Sequence, residues 1–122
     1  MEYNLQHFQA ALNLINRNIE SGVAIENDYI LKAMILRCLY NSPEKNQEAM
    51  NNILFAKTLN VLPNNYVYKQ EGITFIRLGK MSDANLSFQT YLNSLEDTRE
   101  KSDYINKEIE WTKKMMFKSK VL

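Results

Sequence analysis

Residues 68–92 read YKQEGITFIRLGKMSDANLSFQTYL, and this stretch decides the fold. Tyr68, Gly72, Phe75 and Leu78 follow one another at intervals of four, three and three, the spacing of one face of an α-helix. Gly79 comes next, where a left-handed residue closes a helix. Ser82 and Asp83 are residue types that cap a new helix, and Ala84, Phe88 and Tyr91 then recur at four and three. The reading is a helical hairpin. A glycine inside its first helix costs about 1 kcal/mol relative to alanine, so Gly72 is expected where the two backbones press together and a side chain has no room.

Working outward, the same spacing returns upstream. Tyr29, Ala33, Leu36 and Leu39 repeat the first-helix pattern, and Ala49, Ile53 and Ala56 repeat the second. Ser42 caps that second helix, with Pro43 at its first position, where a missing N–H is harmless. Ahead of this copy, Leu5, Phe8, Ala11, Leu12 and Ile15 form a further helical stripe, ended by Ser21-Gly22. Behind the second hairpin, Asp97-Thr98-Arg99-Glu100 reads as a capping box opening a last helix. In that helix Tyr104, Ile105, Ile109, Thr112 and Met116 are expected to be buried. The expectation is an all-α chain of about six antiparallel helices in one domain, 1–122: a leading helix over 1–21, a degenerate hairpin over 27–60, a hairpin over 65–96 and a closing helix over 97–120.

Composition agrees. With 3 Gly and 2 Pro in 122 residues, the chain has too few turn formers for a β-sandwich or barrel. At 45% hydrophobic and 24% charged it has the balance of a folded domain rather than a disordered tail. Fifteen basic residues against 14 acidic ones give +1, so no general basic field speaks for nucleic acid. Its single cysteine, Cys38, excludes an internal disulfide framework. The first residues carry neither a positive nor an apolar leader region, and apolar runs stop at about four residues. A soluble, cytoplasmic module is therefore expected.

The residues of 65–96 resemble one tetratricopeptide repeat. Tyr68, Gly72, Phe75, Leu78-Gly79, Met81, Ala84 and Phe88 fall at the family's aromatic, small, turn and large positions. Glu71, Tyr91 and Glu96 depart from it, standing where leucine, alanine and proline are usual. The resemblance implies a short α-α superhelix whose first helices line a concave face. On that reading Asn27, Ile30, Met34 and Arg37 line the groove beside Tyr66, Lys69, Ile73 and Arg77. Ile, Met and Arg together suit an amphipathic helix or peptide of a partner. Ile30 and Met34 stand where chaperone-binding members carry a carboxylate clamp, which speaks against that mode. Trp111 and Met115, in the run WTKKMMFKSK (111–120), are candidates for a second surface, and the lysines of this run for membrane contact.

No enzyme signature accompanies these features. There is one histidine, His7, and no P-loop, G-x-S-x-G or G-x-G-x-x-G. The carboxylates of Glu108 and Glu110 fall on different helix faces. No catalytic residue, metal or cofactor is expected. The function expected is a non-catalytic protein-binding module, as adaptor or chaperone. The alternatives are a fission-type adaptor bundle cut before a membrane tail and a self-assembling structural protein. The sequence leaves oligomeric state open.

Overall fold

The structure, a computed structural model, describes residues 5–59 and 65–121. Every element among them is an α-helix: α1 Leu5–Glu20, α2 Glu26–Leu39, α3 Pro43–Thr58, α4 Tyr66–Arg77, α5 Met81–Glu96 and α6 Asp103–Val121. The chain divides into two compact units, Met1–Pro63 and Asn64–Leu122. Each is a hairpin plus one further helix: α1 packs on α2 and α2 on α3 in the first, α4 on α5 and α5 on α6 in the second. The break expected at Pro63-Asn64 lies outside the described residues.

Local chemistry sets most of the ends. α1 and α4 both run into a glycine at φ +75°, Gly22 and Gly79, a conformation that costs a residue with a Cβ. After each glycine the next N–H reaches back five residues, from Val23 to the Asn18 carbonyl and from Lys80 to Phe75, which satisfies carbonyls the helix end leaves open. Ser42 accepts the Lys45 N–H at 3.2 Å and Pro43 opens α3, as the sequence indicates. At α2 the cap works in reverse. The Asp28 carboxylate accepts the Ile25 N–H at 2.9 Å.

Two expected starts are corrected. α5 begins at Met81 after Lys80, which supplies no side-chain cap, so Ser82 and Asp83 lie in its first turn. α6 begins at Asp103, and its cap is Ser102, whose hydroxyl accepts the Ile105 N–H at 3.2 Å. Asp97–Glu100 is the connection, not a capping box. Asp97 and Thr98 instead return their N–H groups to Asn93 and Leu95 and finish α5.

The small positions do what close packing requires. In the first unit Ala33, Ala49, Ile53 and Ala56 are 0% exposed. In the second, Gly72, Ala84 and Phe88 are fully enclosed, and a Cβ built on Gly72 would lie 2.5 Å from Cε1 of Phe88. Around Ala84, Phe88, Leu92 and Met116 gather Ile73, Phe75, Ile76, Ile109, Trp111 and Met115. This core joins all three helices of the unit.

Candidate functional site

Two features could carry function, one on each unit. The first is the outer face of α2. This helix packs on both α1 and α3, and buries Ile30, Ala33, Ile35, Leu36 and Arg37. What it leaves outside is a stripe at intervals of four, three and four: Asn27, Leu31, Met34 and Cys38. Leu31 is 44% exposed, Cys38 is exposed and Met34 half-buried. On the same unit α3 shows Leu54 and Phe55, both 46% exposed, with Phe55 tilted on Tyr29 at 4.7 Å between ring centres. Large apolar side chains at helical spacing, open to water, are the anchor pattern of helix-in-groove recognition.

The expected stripe on α2 differs from this one by a rotation. Of the residues expected on α2, Asn27 and Met34 lie on its outer face. Ile30, at 3% exposed, and Arg37, at 8%, turn inward, and Leu31 and Cys38 take the outer places. The reason is physical: α2 carries apolar residues nearly all round, so periodicity alone does not say which arc faces in. What could have found Leu31 and Cys38 is the position of Ala33. Fixing it inward against a neighbouring helix places residues 31 and 38 on the far side.

The second feature is a polar network inside the unit of α4, α5 and α6. Glu108 of α6 is 9% exposed. Its Oε1 accepts the Lys69 ammonium of α4 at 2.7 Å and the Tyr91 hydroxyl of α5 at 2.8 Å, with the Tyr104 hydroxyl at 3.4 Å. The Lys69 Nζ also sits 4.7 Å above the centre of the Trp111 ring and 5.6 Å from that of Tyr66. One carboxylate thus ties three helices, and one ammonium is held by a charge and two aromatic faces. Two residues further along α4, the buried Glu71 accepts the Ser87 hydroxyl at 2.8 Å. Two of the three departures from the repeat pattern, Glu71 and Tyr91, are therefore buried polar bridges. The arrangement is structural: every polar atom named is spent on a neighbour.

This network also fixes how stability responds to pH. Burial pushes the Glu108 carboxyl upward, but the Lys69 ammonium and the tyrosine hydroxyls outweigh it and hold it below its ordinary 4.5. A lowered folded value stabilises above the unfolded value and loses that contribution as pH falls through the folded one. Tyr91 is the opposite case. Burial first, then its hydrogen bond to Glu108, raises its hydroxyl far above the ordinary 10.0. Its contribution is complete below pH 10 and declines as the unfolded tyrosine ionises above it. Denaturant midpoints should accordingly fall both below about pH 4 and above about pH 10. Glu108→Gln should flatten the acid limb and Tyr91→Phe the alkaline one; unchanged limbs in both variants contradict the network.

The remaining expected residues fall as follows. The groove residues divide between the units, Asn27, Ile30, Met34 and Arg37 in the first and Tyr66, Lys69, Ile73 and Arg77 in the second. Tyr66 is half-buried, Lys69 engages Glu108, Ile73 packs on the core of its own unit, and Arg77 is exposed. Trp111 and Met115 do not form an open surface. Both pack against the core, and Trp111 meets Phe88 edge-on at 5.7 Å between centres and 84° between planes. Tyr104, expected inside, is 61% exposed, with only its hydroxyl reaching Glu108.

A surface cleft of about 460 Å³ lies where α5 begins and α6 ends, lined by Met81, Ser82, Asn85, Leu86 and Ser119. Among the described residues no acid or base lines it. Among the described residues no group of three or more His, Cys, Asp or Glu is placed to hold a metal ion, and no helix is long and apolar enough to cross a membrane. Compared with known protein families, curated proteins and solved structures, the chain matches none.

Proposed function

We propose that the chain is a non-catalytic module of tetratricopeptide-like construction that holds an amphipathic helix or peptide of another protein, as an adaptor or chaperone does. The observation that carries this reading is the open stripe Asn27–Leu31–Met34–Cys38 on α2. A helix packed on two neighbours would ordinarily present polar residues to water at these places. Here it presents leucine, methionine and cysteine, and methionine adapts to differently shaped partners. The repeat-like construction is supported by the matched small residues, Ala33 and Ala49 in one hairpin and Gly72 and Ala84 in the other, all buried.

The test follows from exposure. Leu31→Asp with Met34→Asp touches no fully buried side chain, so helical circular dichroism should stay the same and the melting midpoint should shift by only a few degrees. Capture of a partner should drop by at least about 100-fold, since two apolar anchors contribute roughly 1.5–3 kcal/mol each. A variant that melts like the wild type and retains the same partners overturns the proposal.

A further inference from the structure

The outward face of α6 is chemically unlike the rest of the molecule. Residues 111–122 hold four of the chain's 15 basic residues and none of its 14 acidic ones, so the remainder carries −3 against a total of +1. Four lysines of α6, Lys107, Lys113, Lys114 and Lys118, are exposed. At 100° per residue they occupy an arc of about 140° on the side away from Thr112 and Met116, which are buried. Within that arc, and among the last three lysines, stands Phe117, 67% exposed; the arc also carries the exposed Asp103 and Glu110, both nearer the start of the helix.

Stabilising the helix end does not account for these charges. The helix macrodipole acts within about the last turn. α6 runs to Val121, so Lys113 and Lys114 lie about two turns before its end. Nor is Phe117 drawn into the core that Trp111 and Met115 help to build.

We propose that this face of α6 docks on a phospholipid bilayer bearing anionic headgroups. The basic residues of the helix are all lysines, compact charges that attract a diffuse anionic surface without demanding fixed geometry. Arginine, which grips individual carboxylates or phosphates through two parallel bonds, is absent from it. An exposed phenylalanine ringed by lysines is placed to enter the headgroup boundary while the ammonium groups meet phosphates and carboxylates. A membrane takes both; an acidic polypeptide or a duplex takes the charges and leaves the ring in water.

The experiment uses the whole chain and sedimentation with vesicles. Phosphatidylcholine vesicles doped with phosphatidylserine should pull the protein down, and pure phosphatidylcholine vesicles should not. Raising salt from low to physiological strength should weaken binding several-fold. Each lysine contributes about fivefold near such a surface, so Lys113→Gln, Lys114→Gln and Lys118→Gln together should lower affinity about 100-fold. Phe117→Ser should cost about tenfold with the melt unchanged. If the triple variant melts early, Lys114→Gln alone reads the same effect at about fivefold. Equal binding to both kinds of vesicle, binding to neither, or no response to the lysine changes overturns the proposal. So does binding to polyglutamate or duplex DNA as tight as to the anionic vesicles.

Discussion

Replacing Gly72 with alanine should lower the melting midpoint, and replacing it with leucine should unfold the second unit near room temperature. The usual expectation has the opposite sign. A glycine in a helix interior costs about 1 kcal/mol, and alanine normally recovers it. At Gly72 the added Cβ meets three carbons of the Phe88 ring, at 2.5, 2.7 and 2.8 Å. Carbon atoms separated by less than about 3.5 Å repel one another. The ring has little freedom to withdraw: Phe88 is 0% exposed and Trp111 stands edge-on against it. Overpacking costs about 1–3 kcal/mol, and contacts this short against an enclosed ring belong to the upper part of that range, above the propensity gain. Alanine should therefore be destabilising by about 1–2 kcal/mol, and leucine by about 3 kcal/mol or more. Phe88→Leu in the alanine background should recover part of the loss, since the two sites are in contact and their effects do not add. An alanine variant that melts higher than the wild type contradicts the crossing.

Lys69→Met should be nearly as damaging, through charge rather than volume. Methionine preserves most of the apolar stem and removes the ammonium, so the Glu108 carboxylate keeps its place without a counter-charge. Its side chain is 11% exposed and that of Lys69 17%, which makes the pair largely shielded from solvent. Breaking such a pair costs about 3–5 kcal/mol when burial is complete. Residual solvent access and the Tyr91 hydroxyl, still 2.8 Å away, bring the expected loss to about 2–3 kcal/mol. The contact with the Trp111 face adds to it, and emission from this single tryptophan should report the change.

The variant also carries a pH signature that a packing defect lacks. Without Lys69 the largest downward influence on the Glu108 carboxyl is gone, and burial moves it upward from its wild-type value. The stability that the wild type draws from its lowered carboxyl is lost as pH falls, and the variant has less of it to lose. The gap between wild type and variant should therefore narrow on acidification through about pH 5. Lys69→Met combined with Glu108→Gln should be more stable at neutral pH than Lys69→Met alone. A constant gap across pH would assign the loss to packing.

How far the sequence reveals these features depends on what sets each one. Helix number and most boundaries were legible, because Gly22, Gly79, Ser42 and Pro43 act locally and their geometry depends on few neighbours. Gly72 was legible as a close approach because nothing else excuses a glycine there. The start of α6 was not, since Asp97–Glu100 and Ser102–Ile105 both offer capping chemistry and tertiary packing chooses the second. The inner polar bridge was invisible for a related reason. Lys69, Tyr91 and Glu108 sit on three different helices, and each alone reads as a surface or aromatic position. Trp111 was misread outward because the stripe Ile105–Ile109–Thr112–Met116 defines too narrow a buried arc. The helix also leans on α4, where the Lys69 ammonium covers the indole.

On α2 the difficulty was one of phase, and phase can be measured directly. Cys38 is the only thiol in the chain, and it lies one position beyond Arg37, on the outer rather than the inner arc. The rate at which the native protein reacts with a maleimide reports which arc is outside. With Asn27, Leu31, Met34 and Cys38 facing solvent, the native rate should fall within about tenfold of the rate in denaturant. Protection of Cys38 until the protein unfolds would place that stripe in the interior, and the surface proposed for partner binding would not exist.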